Sequence, residues 1–286
     1  MNRPILVFVA IVYGLSVALG LLIGLTGREQ SPFMSLGIAA MLFPAMALLV
    51  VGVAMNAKVA DFGWKRFPPR YGLLALFLIP GVMHLAMIPA TAALVGELPW
   101  ENWLTPRADG LFNADERGWG TLTPLGLAGR LALNAAIGLV AVTLLAFFEE
   151  IGWRAWLLPR LAERLGWRRA IMATAALWAV WHTPFALSGV HTLPDISVTL
   201  TALVLPVGHL GAGFIIGWLW MRSRSIWIVM IAHGALNNWG QYAFKFMQDI
   251  GPDALWILLV GNVALLATGG ILLVANRSPE PDSRHG

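Results

Sequence analysis

Runs of about 20 residues almost free of charge follow one another along the chain, and this constrains the fold more than any other feature. A helix of that length crosses the hydrocarbon layer of a bilayer, where only helices and closed barrels can satisfy every backbone polar group. Crossings are expected near residues 4–26, 33–56, 72–96, 124–156, 170–187, 198–221, 225–245 and 254–275. The expected fold class is all-α: a polytopic membrane helix bundle of about eight transmembrane helices. The residues form a single integral membrane domain spanning 1–286, with no internal repeat. With 58% hydrophobic and 12% charged residues and a mean hydropathy of +0.72, the chain lies outside the soluble globular range. The first run, Pro4 to Leu25, is too long for the core of a signal peptide and reads as a first span.

Charge sets the expected orientation. A basic connection (Lys58, Lys65, Arg66, Arg70), an acidic one (Glu97, Glu101, Asp109, Asp115, Glu116) and an arginine-rich linker (Arg154, Arg160, Arg164, Arg168, Arg169) alternate along the chain. With the N-terminus in the cytoplasm, these two basic segments fall on one side together with Arg3, Arg222, Arg224, Arg277 and Arg284. That side holds 14 of the 19 basic residues. The positive-inside rule then puts both termini in the cytoplasm of an integral, multi-pass protein, and a bacterial plasma membrane is the expected setting. The net charge of +4 is spread over short connections, so no nucleic-acid partner is expected. The chain has no cysteine, which excludes disulfides, thiolate metal sites and cysteine nucleophiles. Residues 157–167 read as an amphipathic cytoplasmic helix, and Pro80, Pro89 and Pro184 are expected to kink or end helices. The polar tail 276–286 is expected to be disordered.

Against this background Glu149 and Glu150, with Arg154 four residues on, stand out. A carboxylate in the hydrocarbon layer costs about 2.5 kcal/mol or more on insertion scales, so it marks a functional site and needs a partner. Glu150 and Arg154 are i,i+4 with the acid first, the favourable order for a helical ion pair. Glu149 points about 100° away and has no intrahelical partner, which makes it the candidate general base. Counted from the basic side, Glu149 lies about ten residues into its helix, His182 about twelve and His233 about eight, or roughly 15, 18 and 12 Å. Three spans thus bring polar groups to one layer. His233 and Asn237 are also i,i+4 and share a face, where their N–H donors can cradle an oxyanion. His84 and His209 have no polar partner at helical spacing and read as structural residues, either packing or lining.

These residues fall in recognisable motifs. Glu149–Arg154 (E-E-I-G-W-R), Trp178–His182 (W-A-V-W-H) and His233–Asn237 (H-G-A-L-N) closely resemble the E-E-x-x-x-R, F-x-x-x-H and H-x-x-x-N motifs of the CAAX prenyl protease and bacteriocin-processing (CPBP, or Abi) intramembrane proteases. Gly217–Trp227 also resembles the segment that precedes the family's last motif. The resemblance covers residues 124–242 as a catalytic core, with Trp178 departing from the family's usual Phe. It implies an intramembrane endopeptidase built as an eight-helix enclosure open to the cytoplasm. Glu149 and His182 would activate a water, His233 and Asn237 would hold the oxyanion, and Glu150 and Arg154 would support the site. The implied partners are the bilayer and a peptide or protein substrate, membrane-associated or lipidated.

On the favoured reading no cofactor is required. Zinc is the alternative, since Glu149, His182 and His233 could supply three ligands, although there is no H-E-x-x-H motif and asparagine is a poor zinc ligand. Two readings from other classes compete with a protease. A proton-coupled transporter would show inverted repeats, which the sequence lacks, and a catalytically idle immunity or scaffold protein would have no need of Glu149.

Overall fold

A computed structural model describes residues 3–57, 61–99, 105–114, 119–191, 196–247 and 250–275. Lys58, Glu101, Asp115, Glu116, Arg117 and the tail 276–286, with Arg277 and Arg284, lie outside the described residues.

Among the described residues the chain is all-α, with one small meander. Helix α1 (Arg3–Leu25) is followed by a 3-10 stretch (Met34–Leu42) that runs into α2 (Phe43–Ala54), and then by α3 (Pro69–Val95). Strands β1 (Thr105–Pro106), β2 (Phe112–Asn113) and β3 (Thr121–Leu122) pair antiparallel in sequence order within the acidic connection. Helix α4 (Pro124–Glu150) starts where the Thr123 hydroxyl caps the Gly126 N–H and Pro124 occupies the first turn. It continues through a π-helical segment (Ile151–Leu157) into α5 (Leu158–Trp181) and α6 (Thr183–Ser188). The bundle closes with α7 (Val198–Ser223), α8 (Ile226–Asn238), a 3-10 turn (Gly240–Met247) and α9 (Asp253–Ala275).

Among the described residues, six helical stretches are long and apolar enough to cross a membrane, against the eight expected. The difference has two sources. Residues 124–188 form one 65-residue run in which the sequence suggested two crossings, and α8, with 13 residues, is too short to qualify alone. Within that run Gly166 leaves the helical region (φ 72, ψ 160), which sets the amphipathic turns after Leu158 apart from the apolar part of α5. The prolines also act unequally. Helix α3 continues through Pro80 and Pro89, whereas α5 ends three residues before Pro184.

Surface and core are distributed as a bilayer requires. Leu85, Leu125, Val53 and Val274 are exposed, while Glu149, Glu150, Arg154 and His233 are buried. The chain is an integral membrane protein. Glycines let α7 approach two neighbours: a Cβ on Gly213 would stand 2.7 Å from the Ala175 Cβ of α5, and Gly211 abuts the backbone of Leu265 and Leu266 in α9. The basic segments gather at one end of the bundle. There Trp156 Nε1 donates to the Ala57 carbonyl, Ile226 N donates to Phe62 O, and the Arg224 guanidinium stacks 4.0 Å from the Trp167 ring.

Candidate active site

Glu149 and Glu150 are the last two residues of α4, and the backbone widens into the π-helix immediately after them. Such turns recur at functional sites because they redirect side chains within a continuous helix. The segment is seated tightly: a Cβ on Gly152 would come within 2.7 Å of the Pro44 Cβ and 3.1 Å of the Phe8 ring. Trp153 and Trp156 pack around that same Phe8 ring, with centroids at 5.6 and 4.8 Å. The acid pair is therefore held by α1 and α2 as well as by its own helix.

Four ionisable side chains meet behind it. Glu150 Oε1 accepts hydrogen bonds from Arg154 Nη1 and from His233 Nδ1, each at 2.8 Å. Glu149 turns the other way. Its Oε2 accepts the Trp178 indole N–H at 2.9 Å, and its Oε1 lies 4.0 Å from His233 Nε2. With both ring nitrogens of His233 protonated, the two carboxylates, the guanidinium and the imidazolium sum to zero net charge. A carboxylate only accepts, so Nδ1 donates to Glu150 and Nε2 is the nitrogen left for chemistry.

The orientation of His182 follows from the proline behind it. Helix α5 stops at Trp181 and tightens, so that the His182 amide bonds the Ala179 carbonyl instead of the Trp178 carbonyl four residues back. The freed Trp178 carbonyl takes His182 Nδ1 at 2.7 Å. Nδ1 is thus the donor, and the bare Nε2 is available to a water or substrate. The His182 ring stacks on His209, with centroids 3.9 Å apart and planes tilted by 35°.

Glu149, His182, His233 and Asn237 all line one cavity of about 370 Å³, within the usual size of ligand sites. Its walls are largely apolar, with Met41, Met83 and Phe185 among them. Asn237 is exposed into it, one turn beyond the buried His233. His209 lines it too, one of the two roles expected for it, and so does His191. Neither was legible as a site residue, because each reaches the cavity through a tertiary contact with His182 and not through helical spacing. The indole donor on Glu149 was likewise hidden, since Trp178 reads in the sequence as packing. His84 bonds the Pro80 carbonyl and takes no part in lining this cavity. Asn134 and Asn238 are engaged with Tyr242 and the Ala135 carbonyl.

Among the described residues, no three His, Cys, Asp or Glu side chains are arranged to hold a metal ion. Glu149, His182 and His233 do not form such a group. As placed, these side chains do not present a three-ligand set for zinc.

Residues 131–239 match the family model for type II CAAX prenyl endopeptidase, Rce1-like. Over this stretch the chain is similar to the CAAX protease family. The match starts inside α4 and ends just after α8, and so takes in every motif residue from Glu149 to Asn237. That family, by its description, comprises prenyl endopeptidases, and the apolar helices around the matched stretch suit a protein of the membrane. A comparison with curated proteins gave no match.

Proposed function

We propose that this protein belongs to the CAAX proteases and hydrolyses a peptide bond of a lipidated or membrane-associated substrate, using a water activated by Glu149 and His182. The observation that carries the reading is the convergence of Glu149, His182, His233 and Asn237, from three separate segments, on one mostly apolar cavity. A general base, a second acceptor and two amide- or imidazole-type donors are the complement that addition of water to a carbonyl needs.

The steps follow from the free atoms. Glu149 Oε1 takes a proton from water while His182 Nε2 accepts the other water hydrogen and orients it. The water oxygen bonds to the carbonyl carbon, and the electron pair moves onto the carbonyl oxygen. Asn237 Nδ2 donates to that oxyanion, as does His233 Nε2, a role that requires the doubly protonated ring balanced by Glu150. Collapse of the intermediate breaks the C–N bond, and the proton held on Glu149 passes to the leaving nitrogen. Arg154 and Glu150 hold His233 in register.

No metal enters these steps. The apolar walls suit a lipid-bearing tail, and prenylated proteins are the substrate class of the family. By the positive-inside rule the end that gathers Arg66, Arg160, Arg222 and Arg224 faces the cytoplasm, with both termini. The test uses the full chain in lipid nanodiscs and a prenylated C-terminal peptide carrying a fluorophore and quencher. Glu149→Ala and His182→Ala should each abolish cleavage with the melting curve retained. Cleavage persisting in either variant contradicts the mechanism.

A further inference from the structure

The Trp178 indole is the most constrained group in the site. It is 1% exposed, and each of its sides meets a different functional side chain. The Arg154 guanidinium lies 4.6 Å over its face. His233 and His182 approach it edge to face, at 5.3 and 4.9 Å between centroids, and His209 stands at 5.3 Å. In α7, Gly213 leaves room for the ring: even a Cβ there would come within 3.4 Å of Trp178 Cε3. From this fixed position the indole N–H reaches Glu149 Oε2 at 2.9 Å.

We infer that Trp178 is a positioning residue for the reaction, whose N–H anchors one oxygen of the Glu149 carboxylate and so assigns the other, Oε1, to the proton transfer. The inference rests on the reading of Glu149 as the base. The terminal torsion of a glutamate is soft, and a free carboxylate would present either oxygen over a wide range of angles. Indole N–H is a donor and never an acceptor, so the contact specifies which oxygen is held. It also closes a circuit. Arg154 holds Glu150, Glu150 holds His233, His233 faces Glu149, Glu149 is held by Trp178, and Trp178 carries Arg154 on its face. A phenylalanine at this position keeps an aromatic face for Arg154 and the three imidazoles but has no donor. The distinctive contribution of tryptophan here is a single hydrogen atom.

The experiment removes that atom. In full-length protein in nanodiscs, Trp178→Phe is compared with a version in which position 178 carries 3-benzothienylalanine, which has the shape of tryptophan with sulfur in place of N–H. Both are assayed on the prenylated peptide substrate beside Glu149→Gln. The expected result for the isostere is a kcat lower by roughly 10- to 100-fold, KM within about twofold, and an unchanged melting temperature. Trp178→Phe should match it in kcat. If Trp178→Phe does not fold, the isostere alone decides the matter. Wild-type kcat in the isostere, with Glu149→Gln inactive, overturns the positioning role and leaves the mechanism standing. Wild-type cleavage by Glu149→Gln removes the reading beneath both.

Discussion

Glu150 holds His233 by a 2.8 Å contact between Oε1 and Nδ1, and the same oxygen takes a 2.8 Å hydrogen bond from Arg154. One carboxylate therefore ties the α4 terminus, the π-helical turn and α8 together. The second carboxylate, Glu149, is left to face the cavity. Adjacent acids thus divide into one that pairs with Arg154 and His233 and one that lines the cavity, because the helix turns them toward different neighbours.

Removing Glu150 leaves a guanidinium that is 1% exposed without its carboxylate. Glu150→Ala should lower stability by about 3–5 kcal/mol, read as reduced yield and a lower melting temperature in detergent. The double variant Glu150→Ala/Arg154→Met should regain much of that loss, since no buried charge then stands alone. An equal loss in both variants would contradict the pairing as the source of the effect.

Asn237 calls for the opposite behaviour. Its side chain is exposed to the cavity, so Asn237→Ala should fold and melt as the wild type does. Loss of an oxyanion donor should lower kcat by about 10²- to 10³-fold with KM little changed. A rise in KM at constant kcat would make Asn237 a substrate-binding residue instead.

Local rules exposed much of this site before any tertiary information. The Glu150–Arg154 and His233–Asn237 spacings are set by helix geometry, and the shared depth of Glu149, His182 and His233 follows from rise per residue. What stayed hidden depends on contacts between distant segments. The stacking of His209 on His182, the N–H of Trp178 on Glu149 and the fit of Gly152 against Pro44 have no periodic signature in the chain. The span count of eight went unconfirmed for a related reason. Hydropathy marks where a chain is apolar, but it cannot show that residues 124–188 stay helical through a π turn, or that α8 stops after 13 residues.

Close helix packing gives a stability prediction with an internal control. Gly213→Ala places a Cβ 2.7 Å from that of Ala175 and should destabilise by about 1–3 kcal/mol. Gly270→Ala in α9 meets nothing within 4 Å and should be neutral or stabilising by up to about 1 kcal/mol, as expected for removing a helical glycine. Equal effects in thermal melting would argue against the α5–α7 contact.

The donor geometry bears on metal dependence. Because Glu149, His182 and His233 do not form a metal-holding group, purified protein should carry far less than one zinc per chain, and cleavage should survive dialysis against a chelator. Stoichiometric zinc that is lost together with activity, and restored together with it, would require a different mechanism.

The most direct measurement is single-turnover cleavage of the prenylated peptide by Glu149→Gln in nanodiscs. This change keeps the shape of the side chain and an acceptor for Trp178 while removing the base. The mechanism predicts a rate at least about 10²-fold below wild type, with unchanged melting and retained peptide binding. Cleavage at the wild-type rate would contradict it.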